Sequence, residues 1–199
     1  MAEPSADSAT VPAQSESARW PPAWLTNVGV VIGIGLVVLL SSLAIGAAAT
    51  SMTENGASVE DLQSAGTFAN AEQAYDDLGE DGRHAAWWFL GFELPFLASF
   101  GLLLCAACAF AARQLASSGA ERLARIARLA VIFGLLAALS DLIQNSAVAA
   151  ILTGHFAQPA PRIAEVFGYL TWVFAISAGF VFVAGWIVAA LRSRRVATR

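Results

Sequence analysis

The chain has no lysine, and all 11 of its cationic side chains are arginine. Two cysteines in 199 residues are too few for a disulfide framework. Charged residues make up only 13% of the sequence, about half the share found in soluble domains. No basic patch is interleaved with aromatic residues, which argues against nucleic acid as a partner. These scarcities exclude an ordinary soluble domain, a disulfide-stabilised domain and a nucleic-acid-binding domain.

Four long apolar runs take the place of the missing charge. Hydrophobic residues account for 57% of the chain, and its mean hydropathy is +0.63. Each run is long enough to cross a bilayer as an α-helix, and short connections make the last three runs antiparallel neighbours. We therefore predict an all-α fold, an antiparallel four-transmembrane-helix bundle in residues 24–191. The predicted spans are 24–49, 85–112, 126–152 and 163–191.

Charges of opposite sign are separated along the chain. The loop 50–84 holds eight acidic side chains and a single arginine, whereas arginines dominate the 113–128 connection and the basic tail 192–199. The positive-inside rule then predicts a multi-pass protein of the inner (plasma) membrane with both termini in the cytoplasm. Residues 1–23 are polar and contain four prolines, which predicts a disordered cytoplasmic tail.

The acidic outer loop 50–84 contains apolar residues at roughly helical spacing. We predict a short amphipathic helical segment outside the cytoplasm, either lying on the membrane surface or capping the bundle. The acidic residues match no EF-hand spacing, so we interpret them as a solvated face. The apolar residues that define the spacing are Val59, Leu62, Phe68, Ala71, Tyr75 and Leu78.

Small residues and a proline predict local features of the first two spans. Gly29 and Gly33 form a small-xxx-small pair that favours close contact with another helix. Pro95 cannot donate a hydrogen bond to the carbonyl of Gly91, which predicts a kink or an opened turn in the second span.

A layer of polar residues is predicted in the outer half of the bundle. Asp141, Gln144 and Asn145 share one face of the third span because they are spaced at i, i+3 and i+4. At about 1.5 Å of rise per residue, polar residues of the other three spans lie at matching depths, roughly 12 Å below their outer ends. The candidate ligand- or proton-binding residues are Glu93, Asp141, Gln144, Asn145, Tyr169 and Ser42.

Each residue of the layer has an expected role. Glu93 and Asp141 would carry charge or a proton, with at least one carboxyl protonated at neutral pH. Gln144 and Asn145 would fix hydrogen bonds, and Tyr169 would donate its phenol. A structural alternative stays open, in which the layer only locks helix register. Ionisable groups in lipid are costly and are tolerated mainly at functional sites, which favours the binding hypothesis.

The histidines and cysteines indicate no metal or cofactor. His84 and His155 are placed near the outer ends of neighbouring spans, where they could line the mouth of the site, but they lack the spacing of metal ligands. Cys105 and Cys108 form a C-x-x-C pair near the cytoplasmic end of the second span. The negative end of the helix dipole disfavours a thiolate there, so we interpret both as packing residues.

Two short motifs resemble those of a family of uncharacterised four-span bacterial integral membrane proteins. That family has a surface helix, an acid-x-Pro-Phe motif on its second span and an Asp-x-x-Glu-Asn motif on its third. This chain has Glu93-Leu94-Pro95-Phe96 and Asp141-Leu142-Ile143-Gln144-Asn145, with Gln144 in place of the glutamate. The resemblance covers roughly residues 60–155. It implies a bacterial membrane protein and a polar layer at these motifs, and no particular activity.

Three functional hypotheses follow from these patterns. The first is a membrane protein whose outer polar pocket binds a small molecule, a lipid headgroup or a proton. The second is a membrane-embedded enzyme that modifies a lipid, with Glu93 or Asp141 as the general acid or base. The third is an accessory subunit that joins a homo-oligomer or a larger membrane complex through its small-residue faces. The lipid bilayer is the expected surrounding in all three.

Overall fold

The computed structural model describes residues 20–54, 58–156 and 159–197, and within these ranges the chain forms helices joined by turns. A 3-10 turn at Ala23–Thr26 precedes five α-helices. Four of them are long and apolar enough to cross a membrane, which confirms the all-α prediction. Residues 1–19 of the predicted N-terminal tail lie outside the described residues, and so do residues 198–199 of the predicted C-terminal tail. The helices are α1 Val28–Thr53, α2 Val59–Gln63, α3 Phe68–Ser117, α4 Glu121–Leu152 and α5 Ala160–Ala197.

The ends of the helices are set by local capping. Asn27 accepts hydrogen bonds from the backbone N–H groups of Gly29 and Val30, so α1 begins after the 3-10 turn and not at residue 24. Gly119 has a φ of +74° and ends α3, because this left-handed conformation suits glycine. The next helix starts at Glu121, five residues before the predicted span.

The range α3 consists of two helical stretches that meet at a break: residues 68–78 from the outer loop, and residues 80–117, which contain the second span. The break is at Gly79, with φ 60° and ψ −170°, a combination that is essentially restricted to glycine. Arg83 bridges the break, since its Nη1 donates to the carbonyl of Tyr75 and its guanidinium lies 4.5 Å from the Tyr75 ring centroid. The backbone keeps helical dihedral angles through Pro95. Of the two alternatives expected there, a kink or an opened turn, the opened turn is therefore absent, and the non-helical break of α3 lies at Gly79.

The packing is organised around α3. It contacts α1, α4 and α5, and α4 also packs on α5, whereas α1 makes no comparable contact with α4 or α5 in the described residues. Helix α4 runs antiparallel to α3, because Gly101 meets Ala138 while Cys105 bonds to the carbonyl of Val131. Helices α3, α4 and α5 therefore form a three-helix unit, and α1 lies along one side of α3.

Residues 58–78, which comprise α2 and the part of α3 before Gly79, pack over one end of the bundle, and we call them the cap. Helix α2 begins with a capping box in which Ser58 and Asp61 bond to each other's backbone N–H groups. Its apolar side chains, with those of residues 68–78, pack against α1, α4 and α5. The fully buried members of this contact are Val59, Leu62, Ala71 and Leu78 from the cap, with Met52, Val148, Ile151 and Ala164 from the long helices.

Candidate functional site

The structure brings three of the predicted polar residues together where α3 faces α4. The carboxyl of Glu93 on α3 lies within interaction range of the Asn145 amide and of the Asp141 carboxyl, both on α4. Asn145 is 5% exposed, and Glu93 and Asp141 are half-buried. We call this group, Glu93 with Asp141 and Asn145, the polar cluster.

Hydrogen bonding in the polar cluster is incomplete. The Oδ1 and Nδ2 of Asn145 and the Oε2 of Glu93 are buried and have no partner within 3.5 Å among the described residues, although the Asn145 amide lies close enough to the Glu93 carboxyl to act on it. Buried polar atoms are normally paired, because leaving one unpaired costs about 1–3 kcal/mol. The three atoms belong to two neighbouring side chains, Glu93 and Asn145, which together present acceptors and a donor that no described residue satisfies.

Gln144 belongs to the neighbouring contact and not to the polar cluster. Its side chain is 6% exposed and packs on α5, where its Nε2 lies 2.9 Å from the position that a Cβ on Gly168 would occupy. The absence of a side chain at Gly168 therefore makes room for the amide between α4 and α5. The residue predicted to fix hydrogen bonds within the site fixes the α4–α5 contact instead.

Ser42 and Tyr169 are not members of the polar cluster, because both face outwards. Ser42 is exposed and donates to the Val38 carbonyl of its own helix at 2.8 Å, and Tyr169 is 66% exposed. The structure thus places both on the outer surface of the long helices. Ser41, which precedes Ser42 in the sequence, is the buried serine of α1. Counting helical rise predicts depth, whereas the rotation of a helix is fixed by its packing.

The two histidines are exposed near the capped end. His84 lies beside Trp88, with 6.4 Å between ring centroids, and the Nδ1 of His155 lies 3.0 Å from the Thr153 hydroxyl. In the described part of the chain no group of three histidine, cysteine, aspartate or glutamate side chains could hold a metal ion.

The C-x-x-C pair lies between helices, with both cysteines buried. The thiol of Cys105 donates to the Val131 carbonyl of α4 at 3.2 Å, and the thiol of Cys108 donates to the Ala178 carbonyl of α5 at 3.5 Å. The two thiols therefore point to different helices, an arrangement that serves packing of α3 against its two neighbours.

The charge around the polar cluster is negative. The charged groups that act on Glu93 are Asp141 from α4 and Glu60 from α2, both acidic. The two ion pairs that the structure describes, Arg128 with Glu121 and Arg162 with Glu165, do not involve the cluster. No positive side chain therefore compensates Glu93 and Asp141 within the described residues.

Glu165, a residue that the sequence patterns did not single out, connects the cap to α5. Its carboxylate pairs with Arg162 one turn away and lies 2.8 Å from the position that a Cβ on Gly66 would occupy. Gly66 has a φ of +62° in the turn between α2 and α3. The sequence signal that could have indicated this contact is the position of Glu165, an acidic residue in the first turns of an apolar run and three residues after Arg162.

Three cavities lie elsewhere in the molecule. One of about 420 Å³ lies between the ends of α3 and α5, beside Trp186 and Arg192. A second of about 410 Å³ is in the cap, and a third of about 530 Å³ lies between the start of α1 and α3. None of the three is lined by a residue of the polar cluster.

No protein-family model, no curated protein and no solved structure matches the chain. The geometry of the described residues therefore carries the functional argument.

Proposed function

We propose that this is a multi-pass protein of a bacterial plasma membrane, whose polar cluster binds a small ligand or a proton. The observation that carries the proposal is the buried amide of Asn145, which has no partner for either of its polar atoms. A cluster that served only to lock α3 against α4 would pair its polar atoms within the protein, because inter-helix hydrogen bonds stabilise only when they are formed.

We propose that the capped end faces outwards and that both termini are cytoplasmic. The acidic residues of the cap lie at the end of the bundle where α1 ends and α4 ends. The arginines lie at the opposite end, where α3 ends, α4 begins and α5 ends. This separation supports the orientation through the positive-inside rule. The described arginines of that end are Arg113, Arg122, Arg125, Arg128, Arg192 and Arg194.

The resemblance to four-span bacterial membrane proteins is part of the same proposal. Its two motifs supply all three members of the polar cluster, Glu93 from one motif and Asp141 with Asn145 from the other. Motifs from different spans that meet at one place in the fold support a common role for them.

The test is labelling with dicyclohexylcarbodiimide, an apolar reagent that modifies protonated carboxyls in apolar surroundings. The full-length protein in lipid nanodiscs is treated, and modified residues are located by peptide mass spectrometry. A site that exchanges a ligand or proton has to open, so Glu93 is expected to be modified. Glu93→Gln should abolish the signal, and Ser146→Ala, an exposed position on α4, should preserve it. A folded protein in which Glu93 does not react would show a sealed structural contact and would refute the proposal.

An accessory-subunit role is a second candidate, supported by the small-residue pair on α1. Gly33 is exposed, and a Cβ placed there would meet no other atom within 4 Å. A Cβ at Gly29 would meet only Asn27 of the same helix. The close helix contact predicted for this pair is therefore not made by the described residues, which leaves the surface available to another helix. Crosslinking of a cysteine introduced at Gly33 in native membranes, compared with one at Leu129, tests this candidate.

A further inference from the structure

We propose that the ligand of the polar cluster is a desolvated monovalent metal cation, bound between Glu93, Asp141 and Asn145. This inference rests on the proposed function, because it names the ligand class of the same site. The juxtaposition that supports it is two carboxyls beside an amide that is 5% exposed and unpaired at both polar atoms.

The available ligand atoms are all oxygens. The carboxylates of Glu93 and Asp141 provide charge, and the Oδ1 of Asn145 provides a neutral acceptor. The amide can donate through Nδ2 to the Glu93 carboxylate and still present Oδ1 to the ion. Hard cations such as Na⁺ prefer oxygen ligands, whereas soft transition metals prefer thiolate or imidazole ligands. The polar cluster contains no cysteine and no histidine.

The number of ligands favours a monovalent ion over a divalent one. Ca²⁺ takes about six to eight oxygens, and Mg²⁺ usually keeps several of its waters. The buried faces of Glu93 and Asn145 are closed to water at their unpaired atoms, and two carboxyls with one amide offer fewer oxygens than Ca²⁺ requires. The cost of removing an ion from water rises steeply with its charge, so a single charge is the least costly to dehydrate.

The charge distribution of the cap favours a cation as well. Between residues 58 and 83 the chain has seven acidic side chains and one arginine. Glu60, exposed on α2, is the member of this group whose charge acts on Glu93. A one-sign acidic surface above a site raises the local concentration of cations and repels anions. Phosphate-bearing or carboxylate-bearing ligands are disfavoured for the same reason.

The experiment extends the carbodiimide labelling. Full-length protein in nanodiscs is labelled at fixed pH and ionic strength in N-methylglucamine chloride, which is then replaced stepwise by NaCl, LiCl or KCl, with MgCl₂ and CaCl₂ as separate arms. A bound ion occupies the carboxyl oxygens, so at ten times its dissociation constant the labelling of Glu93 should slow about 11-fold. At least one of the monovalent metal ions is expected to give this saturable protection.

Three variants locate the protection at the polar cluster. Asn145→Leu removes the amide oxygen and should raise the half-protecting ion concentration about tenfold or more. Asn145→Asp keeps an oxygen at the same place and should retain protection, which guards against misfolding of the leucine variant. Ser146→Ala should behave as wild type. Glu60→Gln should weaken protection only at low ionic strength, because its effect is long-range and screened by salt.

The possible outcomes separate this inference from the proposed function. If Glu93 is labelled but no metal ion protects it, the cation inference is wrong and the binding or proton site stands. Protection by divalent ions alone, or equal protection in the wild type and Asn145→Leu, also overturns the inference. If Glu93 is never labelled in the folded protein, the proposed function fails together with the inference.

Discussion

Gly101 on α3 and Gly134 on α4 bring the two helix backbones into direct contact. A Cβ on Gly134 would lie 2.7 Å from the Gly101 carbonyl oxygen and 2.8 Å from the backbone nitrogen of Cys105. A Cβ on Gly101 would lie 2.7 Å from the Cβ of Ala138. From this crossing, Glu93 lies about 12 Å along α3 and Asn145 about 10–17 Å along α4 in the same direction. The crossing therefore sets the register that brings Glu93 opposite Asn145.

Replacement of Gly134 by alanine is expected to destabilise the protein. The new methyl group meets backbone atoms that cannot move independently. The free energy of unfolding should therefore fall by at least about 1–3 kcal/mol, the usual cost of overpacking a core. The measurement is thermal or denaturant unfolding in detergent. Gly179→Ala is the matched control, because a Cβ there meets nothing within 4 Å and alanine favours a helix. Equal stability of the two variants would contradict the close crossing.

Asn145→Leu is expected to stabilise the protein when no metal cation is present. The substitution removes two buried polar atoms that have no partners and replaces them with an apolar side chain of similar size. The gain should be of the order of the desolvation penalty, about 1–3 kcal/mol. Unfolding in N-methylglucamine buffer measures it, with Ser146→Ala as the control. A loss of stability in this variant would show that Asn145 holds the helices together and is not reserved for a ligand.

Gly66→Ala is expected to loosen the cap. Alanine at a φ of +62° is strained, and its methyl group would also displace the Glu165 carboxylate. Gly119→Ala is the matched control, since Gly119 has a similar φ of +74° but open space at its Cβ position. Hydrogen exchange of residues 58–78 should rise in Gly66→Ala beyond any change that Gly119→Ala produces there. Exchange that stays at the wild-type level would mean that Glu165 does not fasten the cap.

The orientation in the membrane can be tested with single cysteines on exposed residues. Glu72 lies on the cap and Arg122 at the start of α4, and the native cysteines are buried. Glu72→Cys should react with a membrane-impermeant maleimide added to intact cells, and Arg122→Cys should react only after lysis. Labelling of Arg122→Cys in intact cells, without labelling of Glu72→Cys, would invert the proposed topology.

The sequence predicted the long helices well, because hydropathy over a bilayer length is a local property. It predicted the ends less well, since these depend on Asn27, Gly79 and Gly119 and on what surrounds them. Gly79 is one example: its non-helical backbone separates the helix of residues 68–78, which the pattern had indicated as a segment of its own, from the helix of the second span. The apolar face of that segment was recognised, and it packs on the bundle.

The polar residues show a similar division. Their depth follows from helical rise, and the three members of the polar cluster were among the residues named from it. Rotation about the helix axis is set by packing, which turns Ser42 and Tyr169 to the surface and Gln144 towards Gly168. The contact of Glu165 with the turn at Gly66 joins residues about 100 positions apart, and no local spacing encodes such a contact.

Among the long helices, α1 makes its large contact with α3, and this has a consequence for biosynthesis. Of the four long helices α1 is synthesised first, and the part of α3 on which it packs is synthesised later, after the cap residues. In the proposed membrane topology, α1 is therefore in lipid before α3 is available to cover it. It is the most apolar of the four long helices and has the smallest buried share, and its described residues carry no charged side chain between Val28 and Thr53. The composition of α1 thus suits a helix that is surrounded by lipid before α3 is synthesised, as well as one that packs on α3 in the final fold.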